Sequence, residues 1–341
     1  MGERSNAASA YLSVKAHFAD FINGSVYHGE QVVQAEELEI CDKDYYPVDD
    51  ELKKKGVKRT PRHRDVVMRD GKGTKYAVIG IEAQDEIHYA LPVRCMEYDA
   101  AEYRRQLDEI GRDFVKGLDA DKEKKNKVSN AEFLSRMHSW QKLQPVVTVA
   151  FYHGKKKYNG CKDLHSMLNW NEKTNKYLPY VANYKVNLVT PEDLDENYFK
   201  TGLRELIGIL KRREDKESMA AFMEDNKSRF QNLDDETYEV IGILSGYKNL
   251  LKRKEKNRNE EGGIDMCRAF EEMVQDGVRK GEKIGEERGE KRGEKRGVIK
   301  GERRVLKLIE HMSAHGDGEL IPQLSKDPEL MKKMYQKYHV V

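Results

Sequence analysis

The chain contains two acidic residues, Asp65 and Glu82, whose settings suit the binding of a divalent metal ion. Hydrolysis of a phosphodiester requires a hard cation that polarises the phosphate and supplies a hydroxide-like water. Magnesium prefers carboxylate and backbone oxygens, and it commonly uses one or two protein carboxylates together with several waters. Metal-assisted hydrolysis is therefore the first chemistry that these residues indicate.

A β-hairpin is expected to position the two acids. Apolar runs predict strands over residues 65–68 and 76–84, and the glycine-rich sequence 70–73 between them is a strong turn signal. The hairpin would place Asp65 at the start of one strand, beside Glu82 near the end of the next.

The second strand offers further oxygen donors. Because side chains alternate along a strand, Glu82 and Gln84 project from one face, and the carbonyl of Ala83 could complete the metal shell. Glu82 follows a mostly apolar run, where an unpaired buried carboxylate would be costly. The competing interpretation is two solvated acids at strand ends, which are common in so charged a chain.

Two further side chains near this hairpin could contact a phosphate. Arg94 could clamp a phosphate oxygen pair with two hydrogen bonds, or it could be a surface arginine or one paired with Asp99. His88 is a second candidate for contact with the substrate.

A basic run over residues 53–64 directly precedes Asp65. Its members Lys58, Arg62 and Arg64 would attract a DNA backbone without reading bases. A disordered, solvated loop is the other interpretation of the same residues.

The remaining pattern alternates between helices and strands. Apolar residues at helical spacing predict a helix from Tyr11 that ends at Asn23-Gly24. Strands are predicted over 146–152 and 186–189, and helices from 203 to about 250. The polar stretch 252–263 is a candidate linker.

Two capping boxes predict helix starts in the middle of the chain. Asp99 with Glu102 predicts a start near Asp99, and Ser129 with Glu132 predicts another that leads toward Trp140. Trp140 and Trp170 are expected to be core residues. His153, at the end of the predicted strand 146–152, is expected to be capped or solvated.

The tail repeats a glycine every fourth residue from Gly277 to Gly301, with almost only Glu, Lys and Arg between. Seven glycines make a lone helix improbable, since each costs about 1 kcal/mol relative to alanine. We therefore expect a parallel helix that self-associates through residues 277–301, against the alternative of a solvated low-complexity segment. The charged residues exclude a membrane-spanning GxxxG helix.

The overall composition limits the cellular compartments and the classes of binding partner that we expect for this protein. The 62 basic and 60 acidic residues leave a net charge of +2, so attraction to DNA must come from local charge. Four scattered cysteines without a CxxC pair indicate neither a zinc site nor a disulfide framework. With no apolar signal region and no bilayer-length apolar stretch, we expect a cytoplasmic protein without a membrane partner.

Taken in order, these segments resemble the Rpn family, the bacterial recombination-promoting nucleases that are also described as transposases of the PD-(D/E)XK type. The resemblance covers most of the chain, and it is carried by FADFIN at 18–23, RDVV at 64–67, VIGIEAQ at 78–84, HYALPVR at 88–94, YDA at 98–100, FYHG at 151–154, LHSML at 164–168 and the glycine-repeat tail.

The resemblance implies a DNA endonuclease that requires Mg²⁺ or Mn²⁺ and has a role in recombination or transposition. Asp65 matches the motif aspartate, and Glu82 matches the acidic residue of the ExK strand. Gln84 occupies the lysine position, which is a departure from the general superfamily pattern. An amide carries no positive charge and cannot act as a base, although it can orient a water molecule.

The expected fold class is α/β, with a restriction-endonuclease-like mixed sheet flanked by helices. The expected division is a nuclease domain over 1–215, a helical extension and linker over 216–262, a charged GxxxG-repeat tail over 263–313 and a C-terminal helix over 314–341. Two alternatives stay open. One is a catalytically weak or silent DNA-binding or assembly protein that keeps the nuclease fold, and the other is a scaffold whose main function lies in the partner of its tail.

Overall fold

The computed structural model describes residues 3–41, 44–45, 62–63, 65–71, 75–81, 87–120 and 128–340. These residues form a mixed α/β structure. The strands are β1 Glu39–Ile40, β2 Asp44–Tyr45, β3 Arg62–His63, β4 Val66–Arg69, β5 Lys75–Ile81, β6 Val146–Tyr152 and β7 Asn187–Val189. The helices are α1 Glu3–Leu12, α2 Lys15–Ser25, α3 Leu91–Ala120, α4 Asn130–Ser135, α5 Leu164–Met167, α6 Leu203–Arg212, α7 Lys216–Asp225, α8 Lys227–Phe230, α9 Asp235–Ser245, α10 Lys248–Leu251, α11 Met266–Ala314, α12 Ile321–Leu324 and α13 Pro328–Lys337.

A five-stranded mixed sheet organises the first part of the chain, in the order β1-β4-β5-β6-β7. The pairs β1–β4 and β4–β5 are antiparallel, whereas β5–β6 and β6–β7 are parallel. The predicted hairpin is confirmed, since Met68 of β4 pairs with Tyr76 of β5. The predicted strands at 146–152 and 186–189 are also confirmed.

Helix α3 connects the parallel strands β5 and β6 and covers one face of the sheet. Leu91, Cys95 and Tyr98 of α3 form a buried cluster with Ala150 and Tyr152 of β6. Such a crossover is required because parallel neighbours cannot be joined by a tight turn.

The predicted start of this helix near Asp99 is wrong, because α3 begins eight residues earlier, at Leu91. Pro92 occupies its first turn, where the missing N–H needs no partner. Asp99 accepts hydrogen bonds from the hydroxyls of Thr148 and Tyr184 instead of capping a helix. The Asp99 carboxylate therefore binds residues distant in sequence, although the local pattern predicts that it caps a helix.

The other face of the sheet is covered by the N-terminal helices. Phe21 of α2 meets Phe151 of β6 edge to face, with ring centroids 5.2 Å apart. The single predicted helix from Tyr11 is divided into α1 and α2, because Val14 is extended. Helix α1 packs against α9, where the hydroxyls of Tyr11 and Thr237 are 2.9 Å apart.

The carboxylate of Asp20 fastens α2 to the segment that precedes α6. Asp20 is 5% exposed, and its oxygens accept hydrogen bonds from the backbone N–H groups of Lys200 and Thr201 and from the Thr201 hydroxyl. Helix α6 follows with its predicted apolar face, which includes Leu206 and Ile207, fully buried. One side chain therefore satisfies several partly buried donors.

Replacing Asp20 with alanine should lower the free energy of unfolding by about 3 kcal/mol, because it leaves several partly buried donors without an acceptor. Asp20→Asn keeps the shape and one acceptor oxygen, so its loss should be smaller. Urea denaturation of the full chain measures both variants. An Asp20→Ala protein within about 0.5 kcal/mol of the wild type would contradict this role.

The stretch 252–263 has a packed structure, unlike the linker that its composition suggests. Arg258 forms an ion pair with Asp235, Asn257 is buried, and the following Ile264 bridges to Leu233. The chain instead divides into two compact units between Phe270 and Glu271.

The glycine-repeat tail belongs to α11, a continuous helix of 49 residues. Residues 277–304 are exposed around the whole circumference of the helix. At its C-terminal end, Leu308 and Met312 form a small core with Leu324, Met334 and Val340. Helix formation by both the tail and the C-terminal segment is thus confirmed, and the second unit, residues 271–341, contains most of the predicted tail and the whole predicted C-terminal helix.

Candidate active site

The start of β4 and the ends of β5 and β6 lie at one edge of the mixed sheet. Asp65 directly precedes β4, whose first residue Val66 pairs with Val78. Strand β5 continues to Ile81, which lies opposite Tyr152 at the end of β6. Asp65 is only 6% exposed. A carboxylate is seldom buried to this degree, so the fold holds the Asp65 side chain away from solvent at this edge.

Several of the predicted site residues fall beyond what the structure describes. Glu82 and Gln84 follow Ile81 in the sequence and lie outside the described residues, as do Lys58 and Arg64. The structure describes the backbone of Arg62, which lies in β3 opposite Tyr45. The roles of these five residues therefore stay predictions from the sequence.

His88 and Arg94 lie at the N-terminal end of α3. The Arg94 Nε donates a hydrogen bond of 3.3 Å to the Tyr98 hydroxyl, and its guanidinium lies 5.7 Å from the centroid of that ring. Partial desolvation of the His88 ring and the charge of Arg94 lower the pKa of His88. A neutral His88 imidazole and an Arg94 guanidinium held by Tyr98 thus lie at the N-terminal end of a long helix. That end of a helix attracts anions.

His153 is the residue that the sequence pattern misjudges most clearly at this edge. It follows Tyr152 directly, yet it is 0% exposed, and neither of its ring nitrogens has a hydrogen-bond partner among the described residues. Its ring contacts that of Phe151, two residues before. Burial along β6 is continuous from Thr148 to Tyr152 and extends past the end of the strand to His153, so the uninterrupted apolar run is the sequence signal for this burial.

Arg213 fixes the backbone at the same position. Its guanidinium donates to the carbonyl oxygens of His153 and Gly154, and Arg213 itself is buried. Burial and the charges of Arg213 and Arg4 lower the pKa of His153 to about 4. The imidazole is consequently neutral at pH 7.

The depressed pKa of His153 predicts a loss of stability in mild acid. Between its ordinary pKa of about 6.5 and its folded value of about 4, the unfolded chain binds a proton that the folded chain does not. Stability is therefore full above pH 6.5 and falls as the pH drops, by about 2 kcal/mol between pH 7 and pH 5.

Urea denaturation at these two pH values, for the wild type and for His153→Phe, measures this contribution. The variant keeps a ring but loses the titrating nitrogens, so its stability should fall less in acid. An identical decline in both proteins would show that other groups account for the pH dependence.

Of the oxygen donors that would hold a hard divalent cation at this edge, the structure describes only Asp65. In the regions that the structure covers, no group of three or more His, Cys, Asp and Glu residues is arranged to hold a metal. Asp65 supplies a buried carboxylate, and the sequence adds a second carboxylate, Glu82, and an amide, Gln84. Oxygen donors of this kind are those that Mg²⁺ prefers.

Comparisons with known proteins add no further identification. No family model, no curated protein and no solved structure matches the chain. Among the described residues, no helix combines the length and the apolar character needed to cross a bilayer.

Proposed function

We propose that the chain is a DNA endonuclease of the PD-(D/E)XK type that depends on Mg²⁺ or Mn²⁺. The observation that carries this proposal is the buried carboxylate of Asp65 at the edge where β5 and β6 end. A mixed sheet with helices on both faces is also the arrangement that the resemblance to the Rpn family leads us to expect.

Each named residue has a role in this proposal. Asp65 and Glu82 hold the metal, which when bound polarises the phosphate and lowers the pKa of an attacking water. Gln84 orients that water by hydrogen bonding. His88 and Arg94 contact the phosphate beside the N-terminus of α3, and the basic run that includes Lys58, Arg62 and Arg64 attracts the DNA backbone.

The alternative is a DNA-binding or assembly protein that keeps the fold with weak or no catalysis. Gln84 favours this alternative, because a neutral amide supplies no positive charge at the phosphate and cannot act as a base. The intact acids Asp65 and Glu82 favour the enzyme.

Incubation of the full chain with supercoiled plasmid tests the proposal directly. We expect nicked or linear DNA with Mg²⁺ or Mn²⁺, and none with EDTA. A second gel-shift measurement in EDTA reports DNA binding alone. Binding without cleavage under every metal condition would overturn the enzyme and support the alternative.

We also infer that residues 277–301 pair in parallel with the same segment of a second copy. The glycines form a row on α11, and a Cβ added at any of the seven would meet no atom within 4 Å. Acidic residues follow the glycines (Glu282, Glu286, Glu290, Glu294) and basic residues precede them (Lys280, Arg288, Arg292, Arg296, Lys300). In a parallel pair the acidic side of one helix meets the basic side of the other, whereas an antiparallel pair sets like charges together.

A further inference from the structure

A ladder of three rings leads from α3 to the protein surface. The ring of Phe114, which is buried, lies 4.8 Å from that of His138, and His138 stacks on Trp140 at 5.7 Å with an interplanar angle of 7°. Trp140 is 74% exposed, so the prediction that it belongs to the core is wrong. His138 stacks on one face of the Trp140 indole, and most of the remaining indole surface is in contact with solvent.

The segment that presents Trp140 is held in a fixed conformation. The predicted capping box of Ser129 and Glu132 is confirmed at the start of α4. The Glu132 carboxylate also accepts a hydrogen bond from the backbone N–H of Ser139 and lies 3.2 Å from Nδ1 of His138. Hydrogen bonds from Ser129, Ser139 and His138 lower the pKa of Glu132 to about 2, so this tether persists at neutral pH.

The same region carries four exposed cations that are in no ion pair with another residue that the structure describes. Arg136 and Lys142 lie on either side of Trp140 in the sequence, and Arg112 and Lys116 lie near Phe114 on α3; all four are exposed. None of the four is within ion-pair distance of an acid among the described residues. On α3, Asp108 is paired with Arg104 and Glu109 with Arg105, whereas the exposed Asp113 is in no such pair within the described structure and lines the same pocket as Lys142. Arg136 and Lys142, which flank Trp140 in the sequence, are thus two exposed cations without an ion pair among the described residues, and they suit an anionic partner.

We propose that the exposed face of Trp140 is a stacking site for an unpaired base of single-stranded nucleic acid. A base would extend the ladder as a fourth ring, and Arg136 and Lys142 would contact its flanking phosphates. Aromatic stacking combined with a basic surface is the general means of binding single strands without reading their sequence. This site goes beyond the proposed endonuclease and does not depend on its activity.

Fluorescence provides a direct test, because the chain has only two tryptophans, Trp140 and Trp170. In a Trp170→Phe protein the indole signal comes from Trp140 alone. Titration with a 16-residue oligo(dT) in EDTA should quench that signal, since stacking on a base changes the environment of the ring. Anisotropy of labelled oligo(dT) gives the affinity in the same buffer.

Trp140→Ala should weaken binding of oligo(dT) roughly tenfold to a hundredfold, and Trp140→Phe should restore most of the affinity. The matched control is Tyr180→Ala, which removes another ring that is 86% exposed and should leave the affinity unchanged. Circular dichroism confirms that each variant is folded.

An unquenched indole at saturating oligo(dT), or equal affinity of Trp140→Ala and wild type, would overturn the stacking site. Loss of self-association in Trp140→Ala without quenching would also overturn it and indicate a protein partner on this surface. Because EDTA prevents metal-dependent cleavage, a failed plasmid assay leaves this result intact, and the two proposals fail separately.

Discussion

Asp65→Ala is expected to abolish plasmid cleavage while leaving DNA binding largely unchanged. Asp65 is the only member of the proposed metal pair that the structure describes, and it is buried at the edge of the sheet. Losing a ligand of a hard cation removes several kcal/mol of transition-state stabilisation, which corresponds to a rate loss of about a thousandfold or more. The basic residues that would bind the DNA backbone are untouched, so gel-shift affinity in EDTA should stay within a few-fold of the wild type.

The control for this experiment is Asp225→Ala, which removes the same charge from an exposed position in α7. It should cleave at the wild-type rate. Asp65→Asn keeps the size of the side chain but weakens the ligand, and it guards against a folding defect in the alanine variant. If folded Asp65→Ala and Asp65→Asn proteins both cut at the wild-type rate, the assignment of the metal site is wrong.

Cysteines placed on the glycine row of α11 should form disulfides between equivalent positions of two chains. The relevant variants are Gly285→Cys and Gly293→Cys, made singly after replacing the four native cysteines. In a parallel, in-register pair the two backbones approach along the glycines, so each cysteine meets its own counterpart. Non-reducing gels should show most of the protein as a covalent dimer at both positions.

Lys291→Cys is the matched control for the paired tail. Residue 291 lies two positions after a glycine, about 200° around the helix, so its side chain faces away from the proposed partner. It should cross-link poorly. A monomer in sedimentation experiments, or equal cross-linking at positions 285, 291 and 293, would contradict the parallel pair.

Local patterns predicted the central strands well, because their signals lie within a few residues. The turn at 70–73, the apolar run at 146–152 and the capping box at Ser129 each specify a short element on their own. The structure reproduces the pairing of β4 with β5 on either side of this turn, the strand β6 and the capping box.

The failures concern residues whose role is set by distant partners. Asp99 accepts hydrogen bonds from Thr148 and Tyr184, which lie far along the chain. Trp140 is exposed on a segment that turns at Arg136, whose φ is 54°. His153 has its backbone carbonyl bound by Arg213, which lies 60 residues later in the chain. At the candidate site, the sequence identifies the acids, whereas the register of the sheet shows that Asp65 and the end of β5 share an edge.

The contact between α1 and α9 has a consequence for synthesis of the protein. Tyr11 and Thr237 are separated by 226 residues, so the first helix leaves the ribosome long before its packing surface exists. At 5–20 residues per second, about 10 to 45 seconds pass before that surface is made. During this interval the side of α1 that packs against α9 is uncovered in the nascent chain. We therefore expect α1 to be a preferred binding site for chaperones while the chain is still growing.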